Sequence, residues 1–244
     1  MKKILSFVAA AFLTLSVTAQ TDTAAIPVPK AKKAIEMSNR PNDHFLIQFG
    51  MAGWSGIPDT IQKSGFSKAF NVYFMFDFPF KTNPHLSMAF GPGIASDHIL
   101  FTKTDIGIAD PVPSIRFTNV GDTNNFKKTK LATVYAEAPI EFRYSADPLA
   151  GKGFKFAIGV KAGFLINAHT RNAKLQNSAG TTINDYVMKE TSTNYFNRTR
   201  ISLMGRIGYG HFSLFGSYQA TPLFKDGQGP EVRPFAFGIT LSGL

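Results

Sequence analysis

The sequence predicts an all-β fold, an eight-stranded antiparallel up-and-down transmembrane β-barrel, on three observations. Segments of about 10 to 14 residues alternate large apolar side chains with small or polar ones, the period of a strand with two unlike faces. Long and short connections alternate between those segments, as they do in barrels with long outer loops and tight periplasmic turns. Charged residues make up only 17%, and 24 Phe raise the aromatic share to 13%; a soluble domain carries about a quarter charged residues. A mean hydropathy of -0.03 excludes a helical membrane protein. It does not exclude a barrel, in which only alternate residues meet lipid.

The 244 residues suit one sizeable domain. Lys2 and Lys3 precede the apolar run ILSFVAAAFLTLSV, and VTAQ offers small residues for a cut after Ala19. Residues 1–19 therefore read as a signal peptide, since a spanning helix needs about 20 apolar residues. Residues 20–42 carry Pro and Lys without periodicity and read as a flexible periplasmic lead-in. Residues 43–244 read as the barrel.

The first strand, HFLIQFGMAGW, sets Phe45, Ile47, Phe49 and Met51 against Gln48, Gly50 and Ala52. The second, AFNVYFMFDFPF, opposes Phe70, Val72, Phe74, Phe76 and Phe78 to Asn71, Tyr73, Met75 and Asp77. The third, LSMAFGPGIAS, alternates Leu86, Met88 and Phe90 with Ser87, Ala89 and Gly91. The fourth runs from Leu131 to Ser145, with Val134, Ala136, Ala138, Ile140 and Phe142 against Glu137, Glu141 and Arg143. The fifth, FKFAIGVKAGFLIN, is the clearest: Phe154, Phe156, Ile158, Val160 and Phe164 oppose Lys155, Gly159, Lys161 and Gly163. The sixth, RISLMGRIGY, sets Ile201, Leu203 and Ile207 against Ser202, Met204 and Arg206. The seventh, HFSLFGSYQA, is short and carries Phe215 on its polar side, and the eighth, PFAFGITLSG, opposes Phe235, Phe237, Ile239 and Leu241 to Ala236, Gly238 and Thr240.

Three observations turn the Phe faces outward, against a soluble lipocalin-like barrel. The minor face is mostly Gly, Ala and Ser, which suits a narrow interior and makes a poor solvent surface. The strands are longer than the five or six residues typical of soluble sheets. Aromatics near strand ends (Trp54, Phe80, Tyr144, Tyr195, Tyr209) are placed for interfacial girdles. Glu137, Glu141 and Arg143 then point inward, where an uncompensated carboxylate costs several kcal/mol. Antiparallel pairing across the turn ADPLAGKG makes facing residue numbers sum to about 297, which sets Glu137 beside Lys161 and Glu141 beside Lys155. The expected structural cluster is Glu137, Glu141, Lys155 and Lys161, extended by Asp77, Arg143 and Arg206. Pro79, Pro92 and Pro139 fall in or beside strands and call for bulges or the barrel rim.

The stretches LATVYAEAPIEFRYS and GFKFAIGVKAGFLINAHT, with the closing TPLFKDGQGPEVRPFAFGITL, resemble the PorT-like outer-membrane barrel family over about residues 43–244. The resemblance implies an eight-stranded barrel without shared catalytic residues, in a family of mostly unassigned functions, a few of whose members are linked to secretion. Ala138 stands where that family often has a bulkier aliphatic residue, and Leu244 where many other barrels end in Phe.

No catalytic or cofactor-binding constellation is legible. The five His lack metal-ligand spacing, and there is no Cys for a thiolate site or disulfide. GMAGWSG lacks the Lys-Ser/Thr ending of a phosphate loop, and His211 with Ser213 has no nameable oxyanion donor. NRT at Asn197 matches a glycosylation triplet, read as chance. No catalytic residue, metal or cofactor is therefore expected.

Removing Lys2 and Lys3 from the 26 Lys and Arg leaves 24 against 16 Asp and Glu, a balance of +8. For an exported chain the counter-charge is outer-membrane lipid and lipopolysaccharide phosphate rather than nucleic acid. The loops Phe101 to Lys130 and Thr170 to Arg200 hold much of this basic charge. The expected function is a non-enzymatic barrel in the outer membrane of a Gram-negative envelope, with a structural or interaction role and other envelope proteins as candidate partners. A narrow passive channel and a lipid-modifying enzyme are the alternatives.

Overall fold

The computed structural model describes residues 44–243. The expected signal peptide and lead-in, residues 1–42, lie outside the described residues, as does residue 43 of the expected barrel. Thirteen strands are present among them: β1 (Phe45–Ser55), β2 (Lys68–Phe74), β3 (Phe76–Pro79), β4 (Leu86–Phe90), β5 (Gly93–Phe101), β6 (Thr104–Gly107), β7 (Arg116–Asn119), β8 (Asn125–Ser145), β9 (Phe154–Gln176), β10 (Thr182–Thr191), β11 (Thr199–Tyr209), β12 (Phe212–Gln219) and β13 (Arg233–Ser242). Every pairing is antiparallel, and the described residues contain no helix.

The pairings close on themselves. β1 pairs with β2, β2 with β5, β5 with β8, β8 with β9, β9 with β11, β11 with β12, β12 with β13, and β13 again with β1. Closure leaves these strands no free edge. β3 continues the line of β2 after Met75, and β4 precedes β5 across Gly91 and Pro92, so the predicted second and third strands are each present with one interruption. At Gly91 a Cβ would fall 1.8 Å from the Phe74 carbonyl oxygen, so only glycine allows the strands to approach there. The ladder of β4 and β5 with β8 skips Gly91 and Pro92, which lie opposite Pro139 and Ala138. Pro92 and Pro139 thus share one interruption instead of breaking the sheet twice.

The faces alternate as the sequence predicts. On β11, Ile201, Leu203, Ile207 and Tyr209 are exposed, while Arg200, Ser202, Met204 and Arg206 are buried. On β9, Phe154, Phe156, Ile158, Val160 and Phe164 face out. Phe215, on the polar side of β12, is buried against Ala69 and Ala236, whose small side chains leave room for its ring.

β8 and β9 run to 21 and 23 residues, well beyond the predicted fourth and fifth strands, and β10 adds to the outer part of β9. Much of the two expected long loops is therefore strand. Stretches such as Phe126 to Lys130 carry no apolar stripe, so period-two patterning gives no signal there.

The long-loop end encloses an apolar core: Trp54, Phe101, Ile106, Leu131, Phe196 and Phe224 are buried together. Trp54 meets Phe101, Phe224 and Phe117 at ring-centroid distances of 5.4, 5.9 and 6.3 Å. This corrects the girdle reading of Trp54 and Tyr195, which are 4% and 5% exposed. The Tyr195 hydroxyl donates to the Val112 carbonyl at 3.0 Å, a tether that fixes the ring inside the cap. Phe80, Tyr144 and Tyr209 are exposed at the tight-turn end.

Ring closure rests on β1 and β13, where Gln48 faces Thr240 and donates to its hydroxyl at 3.1 Å. The chain has no cysteine. Gln48→Cys combined with Thr240→Cys should therefore crosslink first and last strands on oxidation, read as reducing-agent-sensitive mobility in denaturing gels. No crosslink would mean an open ring.

Candidate functional site: a buried charge network

Inward-facing positions of seven strands converge on two layers of charge. In the first, Glu137 on β8 accepts from Arg200 Nε on β11 at 2.6 Å, and Lys161 Nζ on β9 lies 3.4 Å from its other oxygen. The Tyr73 hydroxyl on β2 donates to Glu137 at 2.5 Å and accepts from Lys161 Nζ at 3.2 Å. Arg200 also holds Asp97 on β5, Nη1 to Oδ2 at 2.8 Å. Its guanidinium carbon sits 3.8 Å from the ring centroid of Tyr135, a buried side chain that belongs to the apolar cap. A desolvated cation over an aromatic face contributes about 2 kcal/mol, so one residue couples cap and network.

In the second layer, Glu141 accepts from Arg143 Nε at 2.7 Å and from Arg206 Nε and Nη2 at 3.2 and 2.7 Å. Arg143 Nη1 reaches Asp77 on β3 at 3.5 Å, and Ser87 on β4 donates to the same carboxylate at 2.7 Å. Glu137, Glu141, Arg143, Lys161, Arg200 and Arg206 are all at most 7% exposed. Four carboxylates (Asp77, Asp97, Glu137, Glu141) thus meet Arg143, Lys161, Arg200 and Arg206 in ion pairs. Buried charges persist only when paired and hydrogen-bonded in this way.

The expected register differs from the observed one. From Tyr135 to Ser145 the facing residues of β8 and β9 sum to 300, with Glu137 opposite Gly163, Glu141 opposite Gly159 and Ser145 opposite Lys155. Glu137 still reaches Lys161 diagonally, whereas Lys155 lies at the tight-turn end and Glu141 binds Arg143 and Arg206. The cause is the turn, in which the Ala146 N–H bonds the Phe154 carbonyl and fixes where the ladder starts. Lys155 lines a cavity of about 30 Å³ together with Asp77, Arg143 and Arg206.

Four members escape the sequence reading. Arg200 begins the predicted sixth strand and shares the parity of Arg206. Asp97 lies one residue beyond the predicted end of the third strand, again on the inward parity. Tyr73 stands on the predicted minor face, with nothing to single out its hydroxyl. Tyr135 shares the inward parity of Glu137, and nothing local marks its ring as the one that Arg200 covers. Gly163 makes room for the first layer: a Cβ there would sit 3.0 Å from Arg200 Cγ and 3.2 Å from Glu137 Cγ.

A closed antiparallel sheet with a charged interior and a Phe-rich exterior is a membrane-barrel arrangement. Residues 41–224 match the family described as outer membrane protein beta-barrel domain. The chain belongs to that family. A comparison with curated proteins found no match. As an outer-membrane barrel domain, the chain places Ile158, Val160, Leu203 and Ile207 on the face that meets acyl chains and the two charge layers on the face that does not.

Truncating Glu141 leaves two buried guanidinium groups without their shared partner. Glu141→Ala is expected to destabilise the barrel by about 3–5 kcal/mol, read as a lower urea midpoint in detergent micelles. An unchanged midpoint would mean that the second layer contributes nothing to stability.

Proposed function

We propose that the protein is an eight-stranded up-and-down transmembrane barrel with a non-enzymatic, structural or docking role in the envelope, acting as a component of a larger outer-membrane assembly. The charge network carries this reading. It crosses the interior from β8 to β2 and β11, where eight strands leave a space that side chains fill. The neighbouring cavities are small, about 30 Å³ beside the second layer and about 20 Å³ beside the first, room for one or two waters each. Beyond them the long loops pack an apolar core across the other end. A barrel filled in this way does its work through its surfaces.

The alternation of tight turns with long connections supports a periplasmic tight-turn end and an outer long-loop end. Export would follow cleavage after Ala19. The strands around Glu137 and Lys161 support placement near the PorT-like barrels within the wider family. The expected partners are outer-membrane lipids and lipopolysaccharide, with other envelope proteins at the loop surface.

Reconstitution into planar bilayers tests the closed interior. The purified protein should insert without producing conductance steps. Discrete, reproducible steps from the unaltered chain would replace this reading by a passive channel.

A further inference from the structure

The outer face of the sheet changes character abruptly near the long-loop end. Below, the face carries Ile94, Ala136 and Phe164, side by side in one rung of β5, β8 and β9. The next rung, Ser96, Val134 and Asn167, is the edge of the apolar band. The next runs Lys68, His98, Ala132 and His169 across β2, β5, β8 and β9. Above that, Lys130, Arg171 and Lys189 are direct neighbours on β8, β9 and β10. Same-face rungs are about 7 Å apart along a strand. The cations therefore stand about 7 to 14 Å along the strands beyond the apolar edge, outside the membrane-spanning part and at headgroup height.

Like charges directly opposite one another on a sheet are destabilising, and here three stand in a row. Among the described residues, no carboxylate forms an ion pair with Lys68, Lys130, Arg171 or Lys189. Asp185 on β10 is taken by Lys174 at 3.1 Å, and Asp97 by Arg200 inside the ring. Glu190 follows Lys189 but pairs with Thr170, whose side chain is buried on the other face.

The cluster is also ordered. Lys130 Nζ lies 3.4 Å from His98 Nδ1, Ser96 Oγ lies 2.8 Å from His98 Nε2, and His169 Nδ1 lies 2.8 Å from Asn167 Oδ1. Burial, then the ammonium of Lys130, pushes the His98 imidazole below its usual value, with Asp97 opposing. Burial, then Arg171 and Lys189, does the same to Lys130. Lys68, Lys130, Arg171 and Lys189 thus have no carboxylate ion pair among the described residues, and the place for a counter-charge is the outer surface of the sheet.

We infer that Lys68, Lys130, Arg171 and Lys189, with His98 and His169, form a binding site for the phosphates of an outer-leaflet glycolipid. The apolar band immediately below selects an amphiphile over a free anion, because acyl chains can lie on Ile94 and Phe164 while phosphate meets the cations. This rests on the transmembrane reading and on the long-loop end facing outward.

The test uses the full-length mature protein and hexa-acylated lipid A, as the bisphosphorylated and the dephosphorylated form, with retention read by native mass spectrometry from detergent. The unaltered protein should retain the bisphosphorylated form preferentially. Lys130→Gln with Arg171→Gln should weaken that retention by about tenfold or more. Lys81→Gln with Lys152→Gln, which removes the same charge at the tight-turn end, should leave it unchanged. Equal retention of both lipids, equal loss in both variants, or displacement of lipid A by equimolar inorganic phosphate would overturn the inference. Flotation with phosphatidylcholine vesicles is scored on the same preparations. Protein that floats but shows no phosphate preference defeats the lipid site alone, whereas protein that does not float defeats the transmembrane reading as well.

Discussion

Glu137 and Glu141 constrain everything else in the molecule. Two carboxylates on one strand, four residues apart and nearly without exposure, must find cations from other strands or be expelled from the interior. Glu137 draws in Lys161, Arg200 and Tyr73, and Glu141 draws in Arg143 and Arg206. A slip of one residue would turn all these groups outward and the Phe stripes inward. Register, orientation of faces and ring closure are therefore aspects of one electrostatic requirement.

The two ends of the ring solve different problems. At the tight-turn end, short turns hold the ladder and exposed Phe80, Tyr144 and Tyr209 border the apolar band. At the other end, β8, β9 and β10 continue past that band, and the inner side of the long loops packs around Trp54, Phe101 and Phe224. Tyr135 joins this cap to the network through Arg200. The outer side of the same extension carries Lys130, Arg171 and Lys189, which form no ion pair with a carboxylate among the described residues. Apolar closure within and basic charge without set this end apart from the tight-turn end.

Much of this was legible in the sequence because a strand with one face in lipid and one in a narrow interior writes a strong period of two. Phe154 to Phe164 on β9 shows it most clearly. The pairing of Glu137 with Lys161 followed from alternation and one short turn. The partners of Glu141 did not, because the observed register is three residues from the expected one and sets Gly159 opposite Glu141 and Lys155 opposite Ser145. Arg200 lies 63 positions from Glu137, and no local pattern reports which strands close a ring. The cap was illegible for another reason. Trp54 and Tyr195 sit near strand ends, as girdle residues do, and only the folding-in of the loops distinguishes an aromatic facing lipid from one facing a core.

The claim that the charged face is inside and the Phe face meets lipid is tested most directly by a depth-resolved quencher. The chain has one tryptophan, Trp54, so Trp54→Phe with Phe156→Trp moves the only such fluorophore to the outer face of β9. In vesicles containing lipids brominated on their acyl chains, the relocated fluorophore should be strongly quenched and the native Trp54 should not. An unquenched signal from position 156 in vesicle-bound protein would contradict the account.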